Sequence, residues 1–224
     1  MIRILAHIIS IIFHPILMAI YMLILLMWIN PYLFGASGIS QRTELLVLML
    51  PTSVVIPVVC ILLMKPLGFI NSYQLHTRQE RIVPYITTGV LYTWLFINIY
   101  HQTLFPRAYV IFFLGALIAL FIAFFINNFS KISAHSVGAG GLLGMMILTY
   151  AYFSYDAVEV SLQGWWQGQI SMSVILVATI IVVGLIGTSR LILEAHTRQD
   201  IYGGYIVGLS SQLIAFQIMN AYGN

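Results

Sequence analysis

The sequence predicts an all-α protein, a polytopic bundle of six to seven transmembrane helices that forms a single domain over residues 1–224. Hydrophobic residues make up 61% of the chain, charged residues make up 7%, and the mean hydropathy is +0.99, a composition far more apolar than that of soluble domains. Apolar runs near twenty residues long, the length that crosses a bilayer core, recur along the chain. All Lys, Arg, Asp and Glu residues lie between these runs, as the cost of a charge within the bilayer requires.

The first apolar run begins directly after Arg3. It is too long for the hydrophobic region of a signal peptide and lacks a small-residue cleavage site, so we expect it to remain as a helix. His14 and Pro15 within it predict a kinked helix whose histidine bonds to a neighbour. If this run does not cross the membrane completely, the bundle has six spans instead of seven.

Six further runs follow. Pro84 opens the third run, the fifth is rich in glycine, and in the seventh Gly203, Gly204 and Gly208 permit close helix approach, the last two as a G-x-x-x-G pair. The seven runs cover residues 4–29, 45–64, 83–100, 108–126, 137–155, 170–188 and 201–219.

Each crossing switches the side of the membrane, so the segments between runs alternate between two faces. One face receives residues 1–3, 65–82, 127–136 and 189–200, which together hold ten of the fifteen charged residues. Two His-Thr-Arg-Gln stretches, 76–79 and 196–199, reach this same face. The sequence around them shows no further repeat, so we interpret their identity as coincidence. The distribution predicts one functional site at one membrane surface.

The segment SRLILEAHTRQD places His196 and Asp200 at positions i and i+4, which predicts that they share a helical face. A carboxylate there accepts the imidazole Nδ1–H, fixes the tautomer and leaves Nε2 free to attack an electrophile. The alternative is a structural ion pair at a helix end.

The segment NNFSKISAHSVGAGG places Lys131, Ser133 and His135 before a glycine-rich helix. The free N–H groups of a helix N-terminus bind anions, and a histidine moves protons near neutral pH. The alternative is an ordinary helix cap with an interfacial lysine. In the segment YQLHTRQERIVPY, Arg78 and Arg81 either bind an anion or anchor lipid headgroups.

Together, segments 74–84, 131–136 and 189–200 resemble the three motifs of the type 2 phosphatidic acid phosphatases, which share a fold with the vanadium haloperoxidases. Those motifs are K-x6-R-P, P-S-G-H and S-R-x5-H-x3-D. The third is matched at every specified position, by Ser189, Arg190, His196 and Asp200. The second is matched in part, by Ser133 and His135 with Ala134 between them, and the first poorly, with Gln74 in place of lysine and Pro84 displaced from Arg81.

The resemblance implies a hydrolase with a core like that of the family and a phosphohistidine intermediate, which acts without a metal or other cofactor. It assigns His196 as the nucleophile, Asp200 as the group that orients it, and His135 as the acid and base. The residues assigned to phosphate binding are Arg190, Ser133, Ala134, Arg81, Arg78 and Lys131.

A site at the membrane face suits a phosphorylated membrane lipid, such as phosphatidic acid, phosphatidylglycerophosphate, polyprenyl (pyro)phosphate or a lipid A phosphate. No basic stripe predicts a nucleic-acid partner. Three alternatives remain: a lipid- or phosphate-binding protein with weakened catalysis, a headgroup transferase, and a transporter. Residues within the spans that favour transport are His7, His14, Pro15, Pro51 and Pro57.

The basic residues do not determine the orientation. Seven lie on the face of the site and two on the other. Five of the seven belong to the proposed site, so two basic residues remain on each face and the positive-inside rule does not favour either orientation. The resemblance implies a multi-pass protein of the bacterial inner membrane with its site facing the periplasm.

Overall fold

The structure is a computed structural model that describes residues 1–75, 77–162 and 166–222. Over these residues the protein is an all-α bundle, and seven helical segments are long and apolar enough to cross a membrane. Each coincides with one predicted run to within a few residues, so the predicted polytopic class and all seven runs are confirmed. The seven spans are Ile2–Ile29, Ser40–Met64, Gln79–Tyr100, Arg107–Asn127, Ala134–Phe153, Met172–Ile192 and Arg198–Tyr222.

The first two spans each contain two helices. In the first, α1 (Ile2–Ile12) and α2 (Met18–Ile29) are separated at His14 and joined by a short 3₁₀ turn, Pro15–Leu17. Proline lacks a backbone N–H and cannot continue the preceding helix, so the predicted kink is confirmed. In the second span, a π-helical turn over Pro51–Val55 joins α3 (Thr43–Leu50) to α4 (Ile56–Met64).

Five longer helices complete the bundle. They are α5 (Ile82–Tyr100), α6 (Arg107–Asn127), α7 (Ala134–Leu148), α8 (Met172–Ile192) and α9 (Arg198–Tyr222). Helix α7 lies at the centre, packs most closely on α9, and also contacts α2, α6 and α8. Because α7 is surrounded by these helices, its first turn, with Ser133 and His135, lies inside the bundle.

The centre of the bundle is filled by large buried side chains such as Leu26, Phe113 and Met145. Other apolar side chains, among them Val90 and Ile181, are exposed on the outer surface of the bundle. An outer surface of this kind is suited to contact lipid tails, because an apolar helix face needs no burial in protein when its solvent is hydrocarbon.

An antiparallel hairpin lies between the fifth and sixth spans, on the face opposite to the predicted site. Strand β1 (Ala157–Leu162) pairs with β2 (Trp166–Ser171), with Ala157 opposite Ser171. It was not among the predicted elements. Val158, Val160 and Leu162 do alternate with polar residues, a pattern typical of a half-buried strand, but the stretch was interpreted only as a segment between two apolar runs. Val158 is buried where the hairpin packs on the bundle.

Candidate active site

The polar segments predicted to share one face are joined by hydrogen bonds there. Arg81 Nη1 donates to the carbonyl of Ile132 over 3.3 Å, and the backbone N–H of Ser133 donates to the carbonyl of Asp200 over 3.2 Å. At the outer edge, Arg3 pairs with Glu194 at 2.6 Å. These contacts confirm that the four segments reach the same side, and they bring the three motif segments into one site.

The turn that carries His196 is built by the end of α8. The N–H of Glu194 donates to the carbonyl of Leu191 over 2.9 Å, and that of Ala195 to the carbonyl of Arg190 over 3.2 Å. This pair of hydrogen bonds is typical of a Schellman motif. Its left-handed residue is Glu194, with φ at 53°, where glycine is the usual choice.

His196 therefore lies in a turn, and the prediction that it shares a helical face with Asp200 is wrong. Helix α9 begins at Arg198, after a reciprocal cap. The N–H of Thr197 donates to Asp200 Oδ2 over 3.0 Å, and the N–H of Asp200 donates to Thr197 Oγ1 over 3.3 Å, as in a capping box. The cap orients the carboxylate toward the imidazole.

The His196–Asp200 pair is largely shielded from solvent. His196 Nδ1 lies 3.4 Å from Asp200 Oδ2, and the two side chains are 5% and 12% exposed. Because a carboxylate only accepts, this contact requires the proton on Nδ1 and leaves the lone pair on Nε2. Burial, together with the positive charges of Arg81 and Arg190, lowers the pKa of His196 to about 4, against the opposing effect of Asp200. The imidazole of His196 is consequently neutral at neutral pH.

The second motif segment forms the N-terminus of α7. Ser133 is the N-cap and accepts from the N–H of Ser136 over 3.3 Å. This is the ordinary helix cap predicted as the alternative to an anion site. Ala134 is the first residue of the helix. His135 Nε2 lies 3.0 Å from the carbonyl of Ser10. Since that carbonyl only accepts, Nε2 carries the proton and Nδ1 is left for other partners.

Two arginines lie beside the histidines. Arg190 Nη1 donates to Ser10 Oγ over 3.1 Å, and its Nε is buried without a hydrogen-bond partner among the residues that the structure describes. Arg81 is held by two carbonyls, those of Leu75 and Ile132. A buried donor without a partner is costly, so Arg190 is suited to an anionic ligand that accepts from Nε.

Two predicted phosphate ligands lie at the margin instead. Arg78 is exposed and donates to the carbonyl of Phe129 over 2.6 Å, which ties its loop to the end of α6. Lys131 is also exposed and lines an outer groove with Gln199 and Gly203. Gly203 makes no close helix contact, contrary to the prediction. The first tetrapeptide's His76 lies outside the described residues.

Two residues that the motifs do not include also lie in the site, and both belong to the first span. Ser10 contacts both His135 and Arg190. The His14 ring meets the His135 ring edge-on, with centroids 5.3 Å apart, and His14 Nδ1 accepts from the N–H of Ile16 over 3.4 Å. The His14-Pro15 pair in an apolar run was the signal for this position, but it predicted the kink or a transport path and not a place in this site.

The assembled groups suit attack on an anionic ester: a neutral histidine oriented by a carboxylate, a second histidine, two arginines and a helix N-terminus. Positioning and charge stabilisation provide most of the catalysis in phosphoryl transfer. The sequence matches no known family model and no curated protein, and the fold matches no solved structure.

Proposed function

We propose that this protein is an integral-membrane phosphatase of the type 2 phosphatidic acid phosphatase kind, which hydrolyses the phosphomonoester or diphosphate headgroup of a membrane lipid. The observation that carries the proposal is the state of His196. Its Nδ1 lies 3.4 Å from Asp200 Oδ2, which leaves the free lone pair on Nε2. Burial and the charges of two arginines keep its imidazole neutral. A nucleophile prepared in this way needs only a bound electrophile.

The phosphoryl group binds between Arg190, Arg81 and the free N–H groups at the start of α7, where the helix dipole favours an anion. The cap Ser133 and its neighbour Ala134 define that helix start. These donors surround the oxygens on which charge is spread during transfer. Lys131 and Arg78, at the margin, contribute attraction of the anion to the site instead of direct bonds.

In the first half of the reaction, Nε2 of His196 attacks phosphorus and the bond from phosphorus to the lipid oxygen breaks. Nδ1 of His135 takes the proton of the monoanionic substrate and then delivers it to the leaving lipid oxygen. In the second half, water attacks phosphorus, the bond from phosphorus to Nε2 of His196 breaks, and Nδ1 of His135 takes a proton from the water. His135 then passes this proton to the departing phosphate. Inorganic phosphate leaves and His196 is neutral again.

The location of the site at one membrane face, at the ends of apolar spans, favours a lipid whose phosphate lies at the interface. We further propose, on the motif resemblance, that the protein resides in a bacterial inner membrane with this face toward the periplasm. Labelling of cysteines placed at Ser130 and Thr103 in intact cells tests the orientation, because the two positions lie in segments on opposite faces. Labelling at Thr103 alone contradicts it.

The test of activity is phosphate release by purified protein in detergent, with EDTA present, from a panel of phosphorylated lipids. We expect His196→Ala and His135→Ala each to abolish release. The matched control is His101→Ala, because His101 is exposed on the opposite face, and it should retain full activity. Failure of the folded wild-type protein to release phosphate from any lipid overturns the proposal, as does an active His196→Ala variant.

A further inference from the structure

Ser10, in the last turn of α1, is 7% exposed and connects two spans of the candidate site. Its carbonyl lies 3.0 Å from His135 Nε2 in α7, and its hydroxyl lies 3.1 Å from Arg190 Nη1 in α8. One small residue thus holds both a proposed proton carrier and a proposed phosphate ligand. Neither contact follows from the motifs, since Ser10 lies outside all three.

The kink in the first span is what frees the Ser10 carbonyl. In a continuous α-helix this carbonyl accepts from the N–H four residues later, that of His14. Here the N–H of His14 donates to the carbonyl of Ile11 instead, over 3.3 Å, and Pro15 has no N–H to offer. The Ser10 carbonyl is left without a helical partner and accepts from His135.

The hydroxyl of Ser10 has a fixed direction in its hydrogen-bond network. A guanidinium only donates, so Ser10 Oγ accepts from Arg190. Ser189 donates to the carbonyl of Ile186 over 2.7 Å, which leaves Ser189 Oγ to accept from Ser10 over 3.2 Å. The network therefore runs in one direction from Arg190 to the backbone of α8, and removal of the Ser10 hydroxyl interrupts it.

We propose that Ser10 is a positioning residue of the active site, which aligns Arg190 for the phosphoryl oxygens through its hydroxyl and fixes the tautomer of His135 through its carbonyl. The proposal rests on the proposed function for the identity of the reaction. It makes the broken first span part of the site, and it gives Ser189, the first residue of the third motif, the role of anchoring Ser10.

The experiment compares Ser10→Ala, Ser10→Thr and wild type by two readouts. The first is the affinity for inorganic phosphate, measured as protection against thermal unfolding in detergent, because a ligand stabilises the state that binds it. The second is the division of the effect between KM and kcat for the best lipid substrate. Ser211→Ala is the matched control, since Ser211 is also buried but, among the residues that the structure describes, its hydroxyl bonds only to the carbonyl of Val207 in its own helix.

We expect Ser10→Ala to weaken phosphate binding and raise KM by about ten- to a hundredfold, the range for a hydrogen bond to a charged group. The kcat should change much less, because the carbonyl that holds His135 is retained. Ser10→Thr keeps the hydroxyl and should restore most of the affinity. In a chain that already carries Arg190→Gln, Ser10→Ala should have no further effect on phosphate binding.

Phosphate affinity in Ser10→Ala equal to that of wild type, or weakened no more than in Ser211→Ala, overturns the proposal. So does the absence of any protection of the wild-type protein by phosphate. If phosphate protects the wild type and Ser10→Ala loses this protection, but no lipid is hydrolysed, the role of Ser10 is supported and the proposed function fails. The two failures are therefore distinguishable.

Discussion

The backbone N–H of Ser133 donates to the backbone carbonyl of Asp200, so the segment with His135 is bonded directly to the segment with His196. The contact depends on the close approach of α7 and α9. A methyl group at Gly204 would lie 2.7 Å from Ser136 Cβ and 3.0 Å from the carbonyl oxygen of Ser133. Glycine at this position therefore sets the separation of the two proposed catalytic histidines.

Replacement of Gly208 by alanine tests this packing. The added methyl would overlap the carbonyl oxygen of Val137 and the N–H of Gly141 in α7, and overpacking of this kind costs about 1–3 kcal/mol. We expect a lower thermal transition in detergent and reduced activity. Gly203→Ala is the control, because nothing lies within 4 Å of its added methyl. Equal transitions for the two variants would show that α7 and α9 are not in close contact.

Asp200→Asn separates a catalytic from a structural role of the carboxylate. The asparagine oxygen still accepts from the N–H of Thr197, so the cap and the fold should persist. The imidazole loses the anion that orients it and that stabilises the positive charge it acquires on attack. By comparison with other histidine–carboxylate pairs we expect kcat to fall about a hundred- to ten-thousandfold. Lipid phosphatase assays and thermal unfolding measure the two effects. A variant that is destabilised but fully active would identify the pair as a structural helix end.

Stability should depend on pH through His196. Its pKa is 6.5 in the unfolded chain and about 4 in the fold, where burial and then Arg81 and Arg190 lower it. Between these values the unfolded state binds more protons, so the contribution of His196 to stability is present above pH 6.5 and is lost as the pH falls toward 4. We expect the thermal transition to fall over this range, and to fall less in His196→Gln.

The control for this pH dependence is His101→Gln, which changes an exposed histidine on the opposite face. Its transition should follow that of the wild type at every pH. A His196→Gln variant with the same pH dependence as the wild type would mean that His196 is not held neutral by the fold.

Glu194→Gly should stabilise the turn before His196. The left-handed backbone of Glu194, at φ 53°, costs about 1–2 kcal/mol for a residue with a side chain, and glycine avoids most of this cost. Glu194→Gln is the control, because it keeps the strain and loses only the exposed ion pair with Arg3, which contributes little. We expect a higher thermal transition for the glycine variant than for the glutamine variant. The opposite order would indicate that the turn has a different backbone conformation.

The local details of the site departed from prediction for identifiable reasons. An i, i+4 spacing for His196 and Asp200 indicates a shared helical face only if the helix is continuous, and the turn at Glu194 interrupts it without the glycine that usually marks such a turn. The hairpin between the fifth and sixth spans was missed although Val158, Val160 and Leu162 alternate with polar residues, because the stretch was interpreted only as a segment between two apolar runs. Arg78 was expected at the phosphate, and its donation to the Phe129 carbonyl depends on how two loops meet.

The sequence alone determined the membrane class, the seven apolar runs and the face on which the polar segments gather, and it left open whether the first run crosses completely. These depend on the length and polarity of each run, and the bilayer acts on them one segment at a time. Only the tertiary structure decided that Ser10 joins the site, because its partners His135 and Arg190 lie 125 and 180 residues away in the chain. Contacts of that kind depend on the direction of the kink at Pro15 and on the glycine-mediated packing of α7, which no pattern along a single segment contains.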